Sequence, residues 1–411
     1  MKKAILMAMT ALALVGCGKK DTNPFFNYQE WNTPHGTYPF NEIKMSHYMP
    51  AIEEGMKRGL ADIDAIVNNE EVPTFENTIV AYVNSGEMLN VVLSCFYNLA
   101  SAETNDEMQA MEVELSPKLT EYSTNIMLNQ GLFQRIKAVY DQRETLELNK
   151  EQQKMLDDVY EGFAENGANL SDEDKEKYRD ISTRLSNLTT AYGQNVLKAT
   201  NAWKYIVTDE AQLEGLNDDT KAILRANAER DSVEGWVLDL KPTTYIPVMQ
   251  DCSNRELRQL LYTAYNTRCI GGEFDNTQHI IDIANTRLEL AQLFGKKDYA
   301  EKSLHKTCAE TQETVMNFLN QLRDAYMPAA MAEAKELEDY AHTLGLEGQL
   351  MPWDWSFYSK KLQDAKYSIS DDILRPYFEL ESVKQGVFGL AERLYGMKFV
   401  ENKDIQVYHP E

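Results

Sequence analysis

SDEDKEKYRDISTRLSNLTTAY, residues 171–192, decides the fold. It opens with a hydroxyl suited to capping free backbone N–H groups and continues with acidic residues that favour a helix start. Tyr178, Ile181, Leu185, Leu188 and Tyr192 then recur at steps of three and four, which places one apolar stripe along a long helix. The stretch 277–294 repeats the pattern, with Ile280, Ala284, Leu288 and Ala291 on one face and Gly295 as the stop. A further helix begins at Thr311 and runs through Val315, Phe318, Leu322 and Tyr326. Pro328 is expected to kink or divide it, because proline removes a backbone donor.

Composition agrees with this pattern. The chain of 411 residues contains only 20 Gly and 12 Pro, which favours helices over tight hairpins, and its 43% hydrophobic content is enough for sizeable cores. Strand signals are confined to WKYIV (203–207) and WVLDL (236–240), which bracket a helical stretch at about 218–230 and are suited to pair as a small sheet. The reading is an all-α fold, mostly helical, with at most one small β element. Polar breaks near 164–171 and 345–349 are loops. Lys plus Arg total 41 against 65 Asp plus Glu, a net charge of −24, so phosphate backbones are repelled and no nucleic acid partner is expected.

The amino terminus reads as an address. Lys2 and Lys3 precede an apolar run over 4–15 that is too short to span a bilayer but right for a secretory signal, and LVGC (14–17) follows. This resembles a bacterial lipobox. It predicts a lipoprotein signal peptide over 1–16, lipidation at Cys17, and an exported chain lipid-anchored on the periplasmic side of a cell-envelope membrane. Residues 17–40 are then a membrane tether and lead-in, and 41–411 the helical body. Cys95, Cys252, Cys269 and Cys308 form no disulfide framework and are read as buried thiols. Cys252 and Cys269 flank a helical pattern that holds them roughly 25 Å apart at about 1.5 Å per residue, too far to bridge.

Chemistry-bearing motifs are scarce. His35, His47, His279, His305, His342 and His409 contain no pair at i and i+4, so no helical His-Glu-x-x-His zinc site is present. Glu301, His305 and Cys308 make the best local metal-like cluster, on one helix face, but three such residues without a distant fourth read as a surface. There is no nucleophile elbow and no Gly-rich phosphate loop, and Gly271 and Gly272 read as a helix exit. In MPWDWSFY (351–358), Asp354 is placed to cap a helix starting at Trp355. Trp353, Trp355, Phe357 and Tyr358 cannot all face one core, which leaves core packing and a peptide-binding wall both open.

Taken in order, NPFF, TPHGTYPFNEIKMSHYMPAIEEGM, PTFENTI, GWVLDLKPTTYIPVMQDCSNRELRQLLYTAYNTR, IIDIANTRLELAQLFGKKDYAEKSL, MPWDWSFYSKKL and ILRPYFELESVKQGVFGLAERLYG resemble the thimet oligopeptidase and oligopeptidase A group of zinc metallopeptidases. The likeness covers nearly everything after the signal peptide and is strongest to the bacterial peptidyl-dipeptidase branch. It implies a helical half-shell flanking a narrow channel, with short peptides as partners and removal of C-terminal dipeptides as the reaction. In that family two histidines and a glutamate hold Zn2+, and a second glutamate takes a proton from the metal-bound water. None of those motifs matches a position here. The resemblance therefore carries over no catalytic and no metal residue, leaves the substrate-binding residues unknown, and makes His409 a linker residue. It implies that 41–411 is truncated before the zinc-binding region and is inactive alone. The alternative is a membrane-tethered helical peptide-binding protein without catalysis. The oligomeric state is left open.

Overall fold

A computed structural model describes residues 23–368 and 371–409. The signal peptide over 1–16, Cys17 and the first part of the expected tether lie outside the described residues. The architecture is helical throughout, with one two-stranded antiparallel sheet. The chain divides into two compact units.

The first unit comprises Met1–Met111, Gln130–Tyr160 and Asn402–Glu411. Its centre is the helix Met45–Val67 against the helix Glu87–Ala102. Gly55 sets their approach, since a Cβ there would lie 2.9 Å from Leu89 Cα. Tyr48, Ile52 and Ile63 meet Leu89, Val92 and Phe96 in the core. The stretch Phe75–Ala102 is apolar enough to suggest a membrane span, but it breaks at a turn over 84–86 and buries Met88, Leu89, Val92 and Phe96 here. The described part of the expected tether is a packed lead-in instead. Pro24–Glu30 forms a 3-10 helix, Asn23 accepts from Phe25 N at 3.1 Å, and the fully buried Phe25 ring lies 5.4 Å from that of Tyr48. An apolar ring with a core slot available does not stay in solvent.

The second unit comprises Glu112–Asn129 and Glu161–Glu401. Ser171 caps the 31-residue helix Asp172–Ala202, its hydroxyl accepting from Asp174 N at 3.2 Å. The stripe read along this helix is buried at Tyr178 and Ile181 and opens toward Tyr192, which is 38% exposed. It packs on the helix Thr277–Leu293 through Leu290 and Leu293. The strands β1 (Tyr205–Val207) and β2 (Trp236–Leu238) pair antiparallel, Val207 opposite Trp236, and bracket the helix Asp218–Arg230 as expected. Val207, Leu224, Trp236 and Leu238 join Val248, Leu257 and Leu261 of the following helices, Pro242–Asp251 and Arg255–Asn266, in one core.

Several expectations are corrected. On Thr277–Leu293, Ile280, Ala284 and Leu288 of the expected face are exposed and only its Ala291 is buried, beside Thr286 and Leu290. Two apolar stripes share this helix, and spacing alone does not choose between them. Pro328 does not divide its helix, which runs unbroken over Gln312–Thr343. Cys308 is exposed and Cys269 half-buried, unlike buried Cys95 and Cys252. Gly271 and Gly272, both left-handed, follow the end of Arg255–Asn266 by several residues and shape a loop rather than cap the helix.

Candidate functional site

The residues that sequence reasoning singled out in MPWDWSFY do converge, but in another arrangement. Pro352 begins the helix Pro352–Tyr367, three residues earlier than expected, because proline suits the first helical position, where no backbone donor is needed. Asp354 is thereby in the first turn rather than at the cap, and its carboxylate reaches back to accept from Met351 N at 3.1 Å. It also lies opposite the preceding helix Arg255–Asn266. Arg255 donates to it through Nε at 3.0 and 3.1 Å and Nη2 at 2.7 Å, and Arg258 donates through Nη2 at 2.9 Å. Arg258 also ties Cys252 O at 2.7 Å and Trp353 O at 3.2 Å.

Asp354 is fully buried and Arg258 is 1% exposed. Burial pushes the Asp354 carboxyl upward. Hydrogen bonds from Arg255, Met351 N and Arg258, together with the Arg255 charge, outweigh that and hold it below the ordinary aspartate range. Arg255 is driven above its ordinary value by the same bond. Phe357 seals the pair, with the Arg258 guanidinium 4.1 Å from its ring centroid and the Lys361 ammonium at 4.7 Å. Lys360 adds a second tie, 2.8 Å to Asp251. The sequence signal for the partners was RELR, whose arginines three apart share a helix face beside Leu257 and Leu261. A contact 96 or 99 residues away along the chain has no local signature.

The aromatic residues divide. Phe357 and Tyr358 join Leu337, Ala341 and Leu346 in a core, Trp353 packs beside the sheet core with its ring 6.2 Å from that of Tyr262, and Trp355 is 47% exposed. Core packing thus accounts for three of the four. Beside them, a cavity of about 640 Å³ opens between the ends of Gln312–Thr343 and Pro352–Tyr367.

The histidines do not converge. His47 is buried and accepts from Lys44 N at 3.2 Å, His342 contacts Gly348 O at 2.8 Å, and His279 is half-buried. The face expected for Glu301, His305 and Cys308 is not formed, because the helix Tyr299–Leu304 ends before the latter two. His305 instead lies 3.5 Å from Glu165, Glu301 accepts from Lys297 N at 2.9 Å, and Cys308 is exposed.

Comparison with known proteins gives the class. Residues 248–411, which contain the whole Asp354 cluster, match the model for Peptidase family M3, and the chain resembles members of that family along nearly its whole length. More particularly, it is 34% identical over 392 residues to a dipeptidyl carboxypeptidase of Escherichia coli, covering 95% of this chain and 57% of that protein. Oligopeptidase A of the same bacterium is also 34% identical, over 395 residues with the same coverage. An organellar oligopeptidase A of Arabidopsis thaliana is 28% identical over 387 residues, 90% of this chain and 49% of the relative. The chain thus spans a little over half the length of the bacterial relatives.

Zinc, which the family resemblance implies, does not fit the residues described: among them no three His, Cys, Asp or Glu side chains converge into a metal-holding group. No chemical step through a metal is derived from this chain.

Proposed function

We propose that this chain is the helical, peptide-flanking portion of a zinc metallopeptidase that releases C-terminal dipeptides from short peptides. The observation that carries the reading is the collinear likeness to the dipeptidyl carboxypeptidase and oligopeptidase A over 95% of the chain. In this reading the zinc ligands and the general base come from sequence not among these 411 residues, which carry no His pair at helical i, i+4 spacing. The chain by itself then binds no catalytic zinc and hydrolyses no peptide.

Exposed apolar helix faces support the same reading. Ile280, Ile281 and Leu288 lie on one helix, and Phe318, Leu319, Tyr326, Met327 and Met331 on another, each at least 38% exposed. Soluble chains seldom leave such runs uncovered. We further propose that the mature protein begins at Cys17, carries acyl chains there, and is held on the periplasmic side of a bacterial envelope membrane.

The test is the coding DNA that follows the Glu411 codon. A reading frame continuing into a His-Glu-x-x-His motif is expected, and joining it to this chain is expected to restore zinc-dependent release of dipeptides. A stop codon with no such motif downstream in any frame overturns the reading. For the anchor, Cys17→Ala is expected to move the protein from the membrane to the soluble fraction, and unchanged membrane recovery contradicts it.

A further inference from the structure

We propose that the end of the first unit built from Pro24–Glu30 and the start of the helix Met45–Val67 rests on the phospholipid surface that carries the Cys17 anchor. The proposal deepens the lipid-anchor reading and rests on it. If residues 17–40 were all tether, the body could stand up to about 80 Å from the lipid, at roughly 3.5 Å per residue. The packing of the lead-in removes most of that length. Asn23 donates through Nδ2 to His47 O at 2.7 Å, and the Trp31 indole N–H donates to Pro24 O at 2.9 Å. Phe25 is fully buried and lies against both Tyr48 and Trp31.

A chain held from Asn23 onward leaves only the steps from Cys17 to Asn23 as a leash, a span of at most about 20 Å. A compact domain of about 150 residues is roughly 40 Å across, so the leash is shorter than the unit it holds. The Asn23 end therefore stands off from the lipid by no more than about half the unit's width. A leash this short also sets an effective concentration in the mM range, at which even a weak surface contact is populated. This end offers such a contact. Phe25 fills the core slot, and the next ring, Phe26, is 40% exposed. Segments that lie on a membrane surface place such rings among the lipid headgroups. Charge does not drive the contact: Lys44 is exposed at this end, but so are Glu30 and Glu42. The short reach and the Phe26 ring do.

The test uses the lipidated full chain in vesicles of phosphatidylethanolamine and phosphatidylglycerol, with photoreactive benzoylphenylalanine in place of Phe26 or, as a control, of Val72. Val72 is 74% exposed and follows the far end of Met45–Val67, where the run from His47 to Val67 covers about 30 Å at about 1.5 Å per residue. Mass spectrometry reads lipid adducts even if the protein associates, and circular dichroism verifies that each form remains helical. Adducts at Phe26 are expected to exceed those at Val72 severalfold. Inserting about twenty Gly and Ser residues before Asn23 keeps the anchor and is expected to lower the Phe26 adducts about tenfold, since effective concentration falls as roughly the −3/2 power of linker length. A chain that stays on the vesicles yet gives no Phe26 adducts, adducts equal to those at Val72, or adducts indifferent to the insertion overturns this proposal and leaves the anchor reading standing. A mature chain without acyl groups at Cys17, read by mass on the same sample, overturns both.

Discussion

Asp354 shows how one side chain can be legible as important and illegible in role. Its position before an apolar run suggested a cap, and it does accept a backbone N–H, but its main partners are Arg255 and Arg258. A buried pair broken on one side leaves an uncompensated charge, so Asp354→Asn is expected to destabilise the second unit by about 3–5 kcal/mol, read as a lowered denaturant midpoint. The sign with pH follows from its depressed value. A carboxylate held lower when folded than unfolded contributes stability above the unfolded value, near 3.8, and loses it as pH falls below that toward the folded value. Acid unfolding of the native chain should therefore steepen below about pH 4, and the Asn variant should lack that component. Gly235 gives a second test. Its φ of +98° and the 2.2 Å that a Cβ would leave to Val207 O both exclude a side chain at the turn into β2. Gly235→Ala is expected to cost about 1–3 kcal/mol, and a neutral result by thermal melting would contradict that strain.

At the level of elements, capping and turn chemistry were the most readable signals. Ser171, Thr311 and Gly295 each mark a helix boundary where the sequence placed it, since a hydroxyl at an N-terminus or a glycine past a C-terminus acts within a few residues. The β pair was legible because WKYIV and WVLDL each concentrate branched and aromatic residues in a short run. Which side of a helix is buried was less readable. Periodicity named the face of Ile280, Ala284, Leu288 and Ala291 on Thr277–Leu293, whereas only Ala291 of these is packed, together with Leu290. A helix with two apolar stripes keeps its choice in tertiary contacts, and the Arg255 and Arg258 partners of Asp354 were hidden for the same reason. The exposed stripe makes a prediction of its own. Phe318→Glu with Met331→Glu is expected to change the stability of the isolated chain by no more than about 0.5 kcal/mol each while reducing its self-association in sedimentation. A stability loss of several kcal/mol would mean that these side chains are already packed.

For the whole molecule, the likeness to the dipeptidyl carboxypeptidase and oligopeptidase A along 95% of the chain and the span of 57% of those relatives have separate consequences. The proposed function follows from the first of these, and under that proposal catalysis is supplied by residues not among these 411. The proposed function makes these 411 residues a peptidase scaffold without a catalytic metal site. It is tested most directly by assaying the purified chain for dipeptide release from short peptides, with zinc content measured on the same sample. The account predicts no turnover with or without added zinc and no stoichiometric bound metal. Turnover that a chelator abolishes and zinc restores would contradict it.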